Sequence, residues 1–564
     1  MPTPLRFFIF FTIVILNACH NQTTYYPPLS SLGEADFIYM NAKIWTGDTE
    51  NPEARAIAIK DSIIVYVGDN YQSFAGSKTI IKDLHGKLLV PGFIDNHTHF
   101  LEGGYFLANI NLRYVKSVSD FISGIRHFAD SVNGNGWIKG GNWDHEAWGG
   151  QLPRKEWIDS VSGKHPVFLS RYDGHMGLAN STALKLAGIN RKTPNPPGGE
   201  IVKDSKTGEP TGILRDEATS LIYSVMPEPQ EKDLGEALKL ASAHALAHGI
   251  TQVHDMGSYG GWIDLATYRR AEASGHLPIR IYSFVAIRTW EKLDSFVKKN
   301  GWGNNHLRWG GLKGFVDGSL GSTTAWFYKP YLDAPQSTGL QVTDTILLRK
   351  WILAADSAGL HIATHAIGDH ANDWILQVYE EAGIKNPGKD HRFRVEHAQH
   401  LTQEAITRFA KLKVIPSMQP YHAIDDGKWA AKRLDSSRLK GTYVFKSLIE
   451  AGANLTFGSD WTVAPLDPIA GIYAAVTRRT LDDKNPGGWF PDQKITVEQA
   501  LRCYTVNNAW AGFMENKTGR LKAGMLADFT VLSEDLFTIS PENIRDTKIL
   551  ITVLNGKEAY SPKQ

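Results

Sequence analysis

From residue 89 onward the chain repeats one pattern: a short, wholly apolar run followed by a stretch in which apolar positions recur every three to four residues. The runs read LVPGFIDNH (89–97), ITQVHDM (250–256), IRIYSFVAI (279–287), GLKGFVDG (311–318), LHIATHAIG (360–368), FRVEHAQH (393–400), KVIPSMQP (413–420) and NLTFGSD (454–460). Strands apolar throughout, rather than alternating, belong to parallel sheets covered on both faces. Helical patterns lie between several of them. In LGEALKLASAHALAHG (234–249), Leu234, Leu238, Ala241, Ala245 and Leu246 keep a 3.6-residue period. Eight such strands alternating with helices predict an α/β fold, a (β/α)8 TIM barrel over residues 89–514, with chemistry at the C-terminal strand ends.

Two departures refine this picture. Residues 98–249 separate the first strand from the second, far more than the dozen or so that a crossover needs. The stretch holds its own turn-rich hairpin, GGEIVKDSKTGEPTGIL (198–214), so a long insertion after barrel strand 1, about residues 105–230, is expected over the barrel mouth. Alternating strand texture occurs at both ends of the chain, in ADFIYMNAKIWT and RAIAIKDSIIVYVGD and again in GRLKAGMLADFTVLS and KILITVLNGKEAY. A small composite β-sandwich domain built from residues 35–88 and 515–564 follows.

The extreme N-terminus has a different character. Arg6 precedes FFIFFTIVIL (7–16), which is too short to span a membrane and suits the apolar part of a secretory signal. The following LNAC resembles the lipobox of bacterial lipoproteins, although Asn17 is less usual there than a smaller residue. Residues 1–18 are therefore expected to be a signal peptide, Cys19 a lipid-bearing residue and 19–34 a tether, giving an exported, membrane-anchored protein at the periplasm or cell surface.

Charge narrows the partners. Sixty basic against 59 acidic residues leave no net field to attract nucleic acid or an anionic membrane. Two cysteines in 564 residues make no disulfide framework. The expected partner is a small molecule, membrane contact is expected only through Cys19, and a homodimer is left open.

The chemistry collects at the strand ends. In an extended strand, side chains at i and i+2 share a face, so His97 and His99 both aim at one point as the first strand gives out. The fourth strand contributes Lys313 and Asp317, the fifth His365, the sixth His397 and the eighth Asp460. Imidazole nitrogen and carboxylate oxygen suit zinc and similar divalent ions. A lone histidine beside a strand is ordinarily structural, which is the reading for His244, His248 and His306; His370 and His400 lie past the apolar part of the fifth and sixth strands. Asp460 has a bland alternative as a helix cap. Lys313 sits inside WGGLKGFVDG, where burial favours a neutral amine that can take up CO2 as a carbamate and bridge two metals. Pairing with Asp317 or exposure at the rim is the alternative.

PGFIDNHTH, the eight strand ends and GRLKAGMLADFTVL resemble the amidohydrolase superfamily of metal-dependent hydrolases. GNWDHEAWGG, SRYDGHMGLANSTAL, TGILRDEA, KGFVDGSLGS, THAIGDHAND, RVEHAQ and FGSDWTVAPLDP are similar to its amidohydrolase-3, YtcJ-like branch, which includes N-substituted formamide deformylase-like proteins. The resemblance runs over roughly residues 36–560. It implies that His97, His99 and Asp460 hold a more buried metal, that His365 and His397 hold a more exposed one, and that carboxylated Lys313 bridges them. One or two ions, expected to be zinc, would then serve hydrolysis of a non-peptide C–N bond in an amide, N-formyl compound or cyclic amide. Asp460 would move the proton, and His365 and His397 would be catalytic through the carbonyl-polarising site.

For the rest of the substrate, the insertion offers Trp143, Asp144 and His145 in GNWDHEAW, and Arg171, Asp173 and His175 in SRYDGHMG. Trp143, Asp144, Arg171 and His175, with Asp317 at the mouth, are expected to contact it; packing and local ion pairing are the bland alternatives. A metal-dependent deaminase of a ring amine differs only in the leaving group, and ammonia release would reveal it. A phosphoester or lactone hydrolase fits the motifs less well. A non-catalytic surface-binding lipoprotein has no need of five aligned ligands.

Overall fold

The computed structural model describes residues 33–132, 136–227, 230–258 and 261–562, so the expected signal peptide, Cys19 and most of the tether lie outside the described residues. Eight parallel strands form the central sheet: β1 Phe93–Thr98, β2 Ile250–Asp255, β3 Arg280–Ala286, β4 Leu307–Phe315, β5 His361–Ala366, β6 Arg394–His397, β7 Ile415–Met418 and β8 Thr456–Phe457. They pair in sequence order from β1 to β8. The ring closes just past the last strand, where Thr98 bridges Trp461, Asp460 N–H donates to His97 C=O at 2.7 Å and His99 N–H donates to Trp461 C=O at 2.6 Å. Lower down the seam, the Asn508 amide donates to the carbonyls of Ile94 in β1 and Phe457 in β8. Helix Glu231–Ala247 covers the barrel with the face read from sequence, burying Leu234, Leu238, Ala241, Ala245 and Leu246. Such burial, at about 25 cal/mol per Å² of apolar surface, is what holds helices to the barrel.

The apolar run 88–98 divides into two strands rather than one. Leu88–Pro91 belongs to a six-stranded sheet outside the barrel and β1 begins only at Phe93. The break falls at Gly92, which passes so close to Thr251 that a Cβ would lie 2.3 Å from its hydroxyl oxygen. That outer sheet joins both chain ends, with Leu88–Pro91 between Lys43–Trp45 and Phe529–Leu532. A four-stranded sheet from residues 37–83 packs beside it, and Tyr39, Ile57, Ile59, Leu89, Phe529 and Val553 share one core. A buried ion pair fastens this domain to the barrel: Arg280 in β3 donates to both carboxylate oxygens of Asp528, at 2.6 and 3.0 Å.

The insertion carries a mixed six-stranded sheet between Ile110 and Asp216, including the antiparallel pair Gly199–Lys203 and Pro210–Asp216 where the hairpin was expected. It has its own core around Phe121, Ile125, Trp143 and Leu169.

Candidate metal centre

β1 delivers His97 as its penultimate residue, and His99 follows one residue past the strand end. Their Nε2 atoms lie 3.3 and 3.5 Å from the same oxygen, Oδ1 of Asp460, so the two imidazoles do aim at one point. β6 ends on His397, whose ring centroid is 4.9 Å from that of His97 and 4.5 Å from that of His365. Donor atoms of His97, His397 and Asp460 all lie within 4.8 Å of one another. Lys313 Nζ is 3.2 Å from His97 Nε2. Residues drawn from β1, β4, β5, β6 and the end of β8 thus meet at one mouth of the barrel.

Each imidazole is held through one ring nitrogen. His97 Nδ1 meets Glu396 Oε2 at 2.6 Å, His99 Nδ1 the Gly257 carbonyl at 2.9 Å, and His397 Nδ1 the Gln419 side-chain oxygen at 2.8 Å. His365 is held the other way round, with Nε2 on the Gly318 carbonyl at 2.9 Å. Because these partners are acceptors, the bonded nitrogen of neutral His97, His365 or His397 carries the proton and the opposite nitrogen keeps a lone pair. An imidazole fixed in this way is prepared for a cation.

Electrostatics agree. Burial, reinforced by the Lys313 charge, lowers His97 to about 4, and burial with neighbouring positive groups pushes His365 and His397 well below the usual histidine range. Neutral imidazole is the form that ligates metal. Burial works against charge on Asp460, yet the surrounding histidines hold it well below the carboxylate range. His99 is the exception: burial opposes its charge, but the Asp460 carboxylate wins and raises it to about 9. Burial lowers Lys313 to about 8, which makes its neutral amine accessible. The backbone is also unusual here, since His397 and Asp460 have φ of +75° and +57°. Left-handed conformations at residues other than glycine cost about 1–3 kcal/mol each and persist where surrounding contacts over-determine them.

The donor set therefore fits a divalent cation with nitrogen and oxygen preference. His97, His397 and Asp460 form the tightest group, with His99, Lys313 and His365 around it. This grouping cuts across the division that the family resemblance implies, in which His397 belongs with His365.

Several further residues lie near the centre without having been expected there. Glu396 is fully buried and bonds His97, both Nε and Nη2 of Arg394, and the Ser417 hydroxyl. Its signal was available as a carboxylate inside an otherwise apolar strand. Gln419 orients His397, and His422 lies parallel to His397 at 6.4 Å with a buried Nε2 that has no partner.

The structure places three of the expected substrate contacts among packed or bonded partners. Trp143 is fully buried in the insertion's core, its indole N–H donating to the Leu169 carbonyl at 2.7 Å, so its ring packs the subdomain. Arg171 is 2% exposed and bonded to Asp144 at 2.9 Å and Asp173 at 2.6 Å, a closed ion-paired cluster that fixes the turn through residue 175. Asp317 is fully buried and accepts from the backbone N–H groups of Trp326, Ile367 and Gly368, so it ties the loops after β4 and β5 together. His175 is different. Its side chain is 21% exposed and its Nδ1 meets Asp216 at 2.9 Å.

The chain is similar to known proteins along most of its length. The sequence model of the amidohydrolase family matches residues 81–560. The protein LONG AFTER FAR-RED 3 of Arabidopsis thaliana is 40% identical over 538 residues, covering 93% of this chain and 92% of its own. The N-substituted formamide deformylase of Arthrobacter pascens is 27% identical over 552 residues, covering 93% and 98%. A solved structure from Pyrococcus horikoshii, described as an uncharacterized metal-dependent hydrolase, is 29% identical with a TM-score of 0.73, covering 90% of this chain and 99% of that one.

Proposed function

Because the chain belongs to the amidohydrolase family, we propose that it hydrolyses a non-peptide C–N bond in a small amide, N-formyl compound or cyclic amide. The observation that carries this reading is the convergence of His97, His397 and Asp460, whose donor atoms lie within 4.8 Å of one another while each imidazole is fixed by an acceptor on Nδ1. The formamide deformylase resemblance supports the choice of bond.

A divalent ion held by His97, His397 and Asp460, with His99, His365 and a carboxylated Lys313 completing one or two sites, would supply Lewis acidity and an acidified water. Zinc suits these donors best. Asp460, ionised and at the centre of the histidines, accepts the proton of the attacking water and returns it to the leaving nitrogen. Glu396 and Gln419 keep His97 and His397 in the required tautomers. The insertion is seated on the barrel loops by the Ser322 hydroxyl donating to Asp173 and by Arg113 donating to Asp425. The substrate is a small molecule, and the N-terminal segment supports export with a lipid anchor at Cys19.

The test is a screen of N-formyl and N-acyl amines with zinc-loaded protein, followed by Asp460→Asn. The variant should keep its fold and bind metal while kcat falls at least about a thousandfold, the loss of a proton-transfer group together with a charged ligand. Near-normal turnover would remove Asp460 from the proton-transfer role.

A further inference from the structure

One imidazole of the insertion is held by a carboxylate in a turn that touches the loop after β4. His175 ends the turn that begins at Arg171, and its ring Nδ1 meets Asp216 Oδ1 at 2.9 Å. The backbone doubles the link, Asp216 N–H donating to the His175 carbonyl at 2.9 Å. His175 N–H also donates to Asp173 Oδ1 at 3.2 Å. Asp216 adopts φ +46° and ψ −125°, a conformation that side chains rarely take and that persists only where surrounding contacts over-determine it.

One loop places this turn against the metal centre. Gly318, at the start of the loop after β4, offers the carbonyl that His365 Nε2 binds at 2.9 Å. Four residues on, the Ser322 hydroxyl donates to Asp173 Oδ2 at 3.0 Å. Between them Gly321 passes so near that a Cβ would lie 3.3 Å from Arg171 Nη1. A short, tightly packed loop thus touches His365 at one end and the His175 turn at the other. Burial disfavours charge on His175, but its bond to Asp216 and the carboxylates of Asp173, Asp216 and Asp460 outweigh that and raise it above the usual histidine range. With Nδ1 on Asp216, Nε2 is the nitrogen left to meet a ligand.

Resting on the amide-hydrolase reading, we propose that His175 is a catalytic residue supplied by the insertion, donating from Nε2–H to the substrate carbonyl oxygen as negative charge develops there. Asp216 is its positioning residue. A preorganised donor of this kind acts on the transition state more than on the ground state, so it raises kcat rather than merely lowering KM. The insertion therefore completes the reactive site, in addition to any part in selecting substrate.

The experiment uses the zinc-loaded enzyme and its His175→Gln, Asp216→Asn and Asp216→Glu variants. It records kcat and KM on the N-acyl amine that the screen yields, zinc content, and affinity for acetate, a small carboxylate that presents oxygen where the carbonyl would lie. His175→Gln should lower kcat about 100-fold or more with KM within about threefold and zinc content unchanged. Asp216→Asn should lower kcat about tenfold, and Asp216→Glu should restore part of it. Acetate should bind about tenfold more weakly to His175→Gln. A His175→Gln enzyme that keeps its kcat, or loses it only together with zinc, overturns the proposal, as does unchanged acetate affinity or a wild type that binds no acetate. If no C–N substrate is turned over while acetate binding still depends on His175, the amide reading fails and the site assignment stands.

Discussion

At the scale of single residues, the centre is built from pairs in which one partner ligates and the other orients. His97 was legible because two-residue spacing at a strand end has a direct geometric meaning. Its partner Glu396 stood one residue before His397 and was passed over, since a carboxylate within an apolar run signals only burial until its neighbours are known. Burial works against charge on Glu396, yet the Arg394 guanidinium and the His97 hydrogen bond hold it well below the carboxylate range. Glu396→Gln should therefore weaken zinc binding about 10–100-fold, the usual effect of removing an outer hydrogen-bond partner of a ligand. A competitive zinc titration with a chromophoric chelator would measure it; an unchanged affinity would show that His97 is oriented without Glu396. Trp143 teaches the converse. A tryptophan beside charged residues reads equally as a pocket wall or a core residue, and only packing distinguished the two.

At the scale of elements, apolar runs located all eight barrel strands, but not where each began. The run 88–98 held two strands, because nothing in its hydrophobicity marks the close approach of Gly92 to Thr251. The barrel's closure was also invisible in sequence. β8 is only two residues long, and the seam to β1 relies on the Thr98–Trp461 bridge and on the Asn508 amide, which donates to a carbonyl of each strand. Asn508→Ala would leave both carbonyls buried without that donor. A loss of stability of about 1–3 kcal/mol is expected, read as a lower urea midpoint at unchanged slope. A shift below about 0.5 kcal/mol would mean that the seam needs no clamp.

At the scale of the molecule, strand texture at both termini announced a composite domain, and the excess length between β1 and β2 announced the insertion. How these parts join was not readable: the Arg280–Asp528 pair spans 248 positions, and the Ser322–Asp173 contact that seats the insertion spans 149. Such contacts carry no periodicity. The N-terminal segment belongs to this scale too. In a bacterial host that processes lipoproteins, the wild-type chain should sediment with membranes and Cys19→Ala should move to the soluble fraction. Equal partition of the two would dismiss the anchor.

Every step of the chemistry depends on a cation drawn to side chains that lie hundreds of positions apart. Anomalous scattering from crystals of zinc-loaded protein, recorded on either side of the zinc absorption edge, locates such an ion without reference to activity. The expected result is a strong peak bounded by His97, His397 and Asp460, with any second peak between His365 and Lys313. A map with no peak at that mouth, or with zinc bound only elsewhere, would contradict the proposed centre and the hydrolysis built on it.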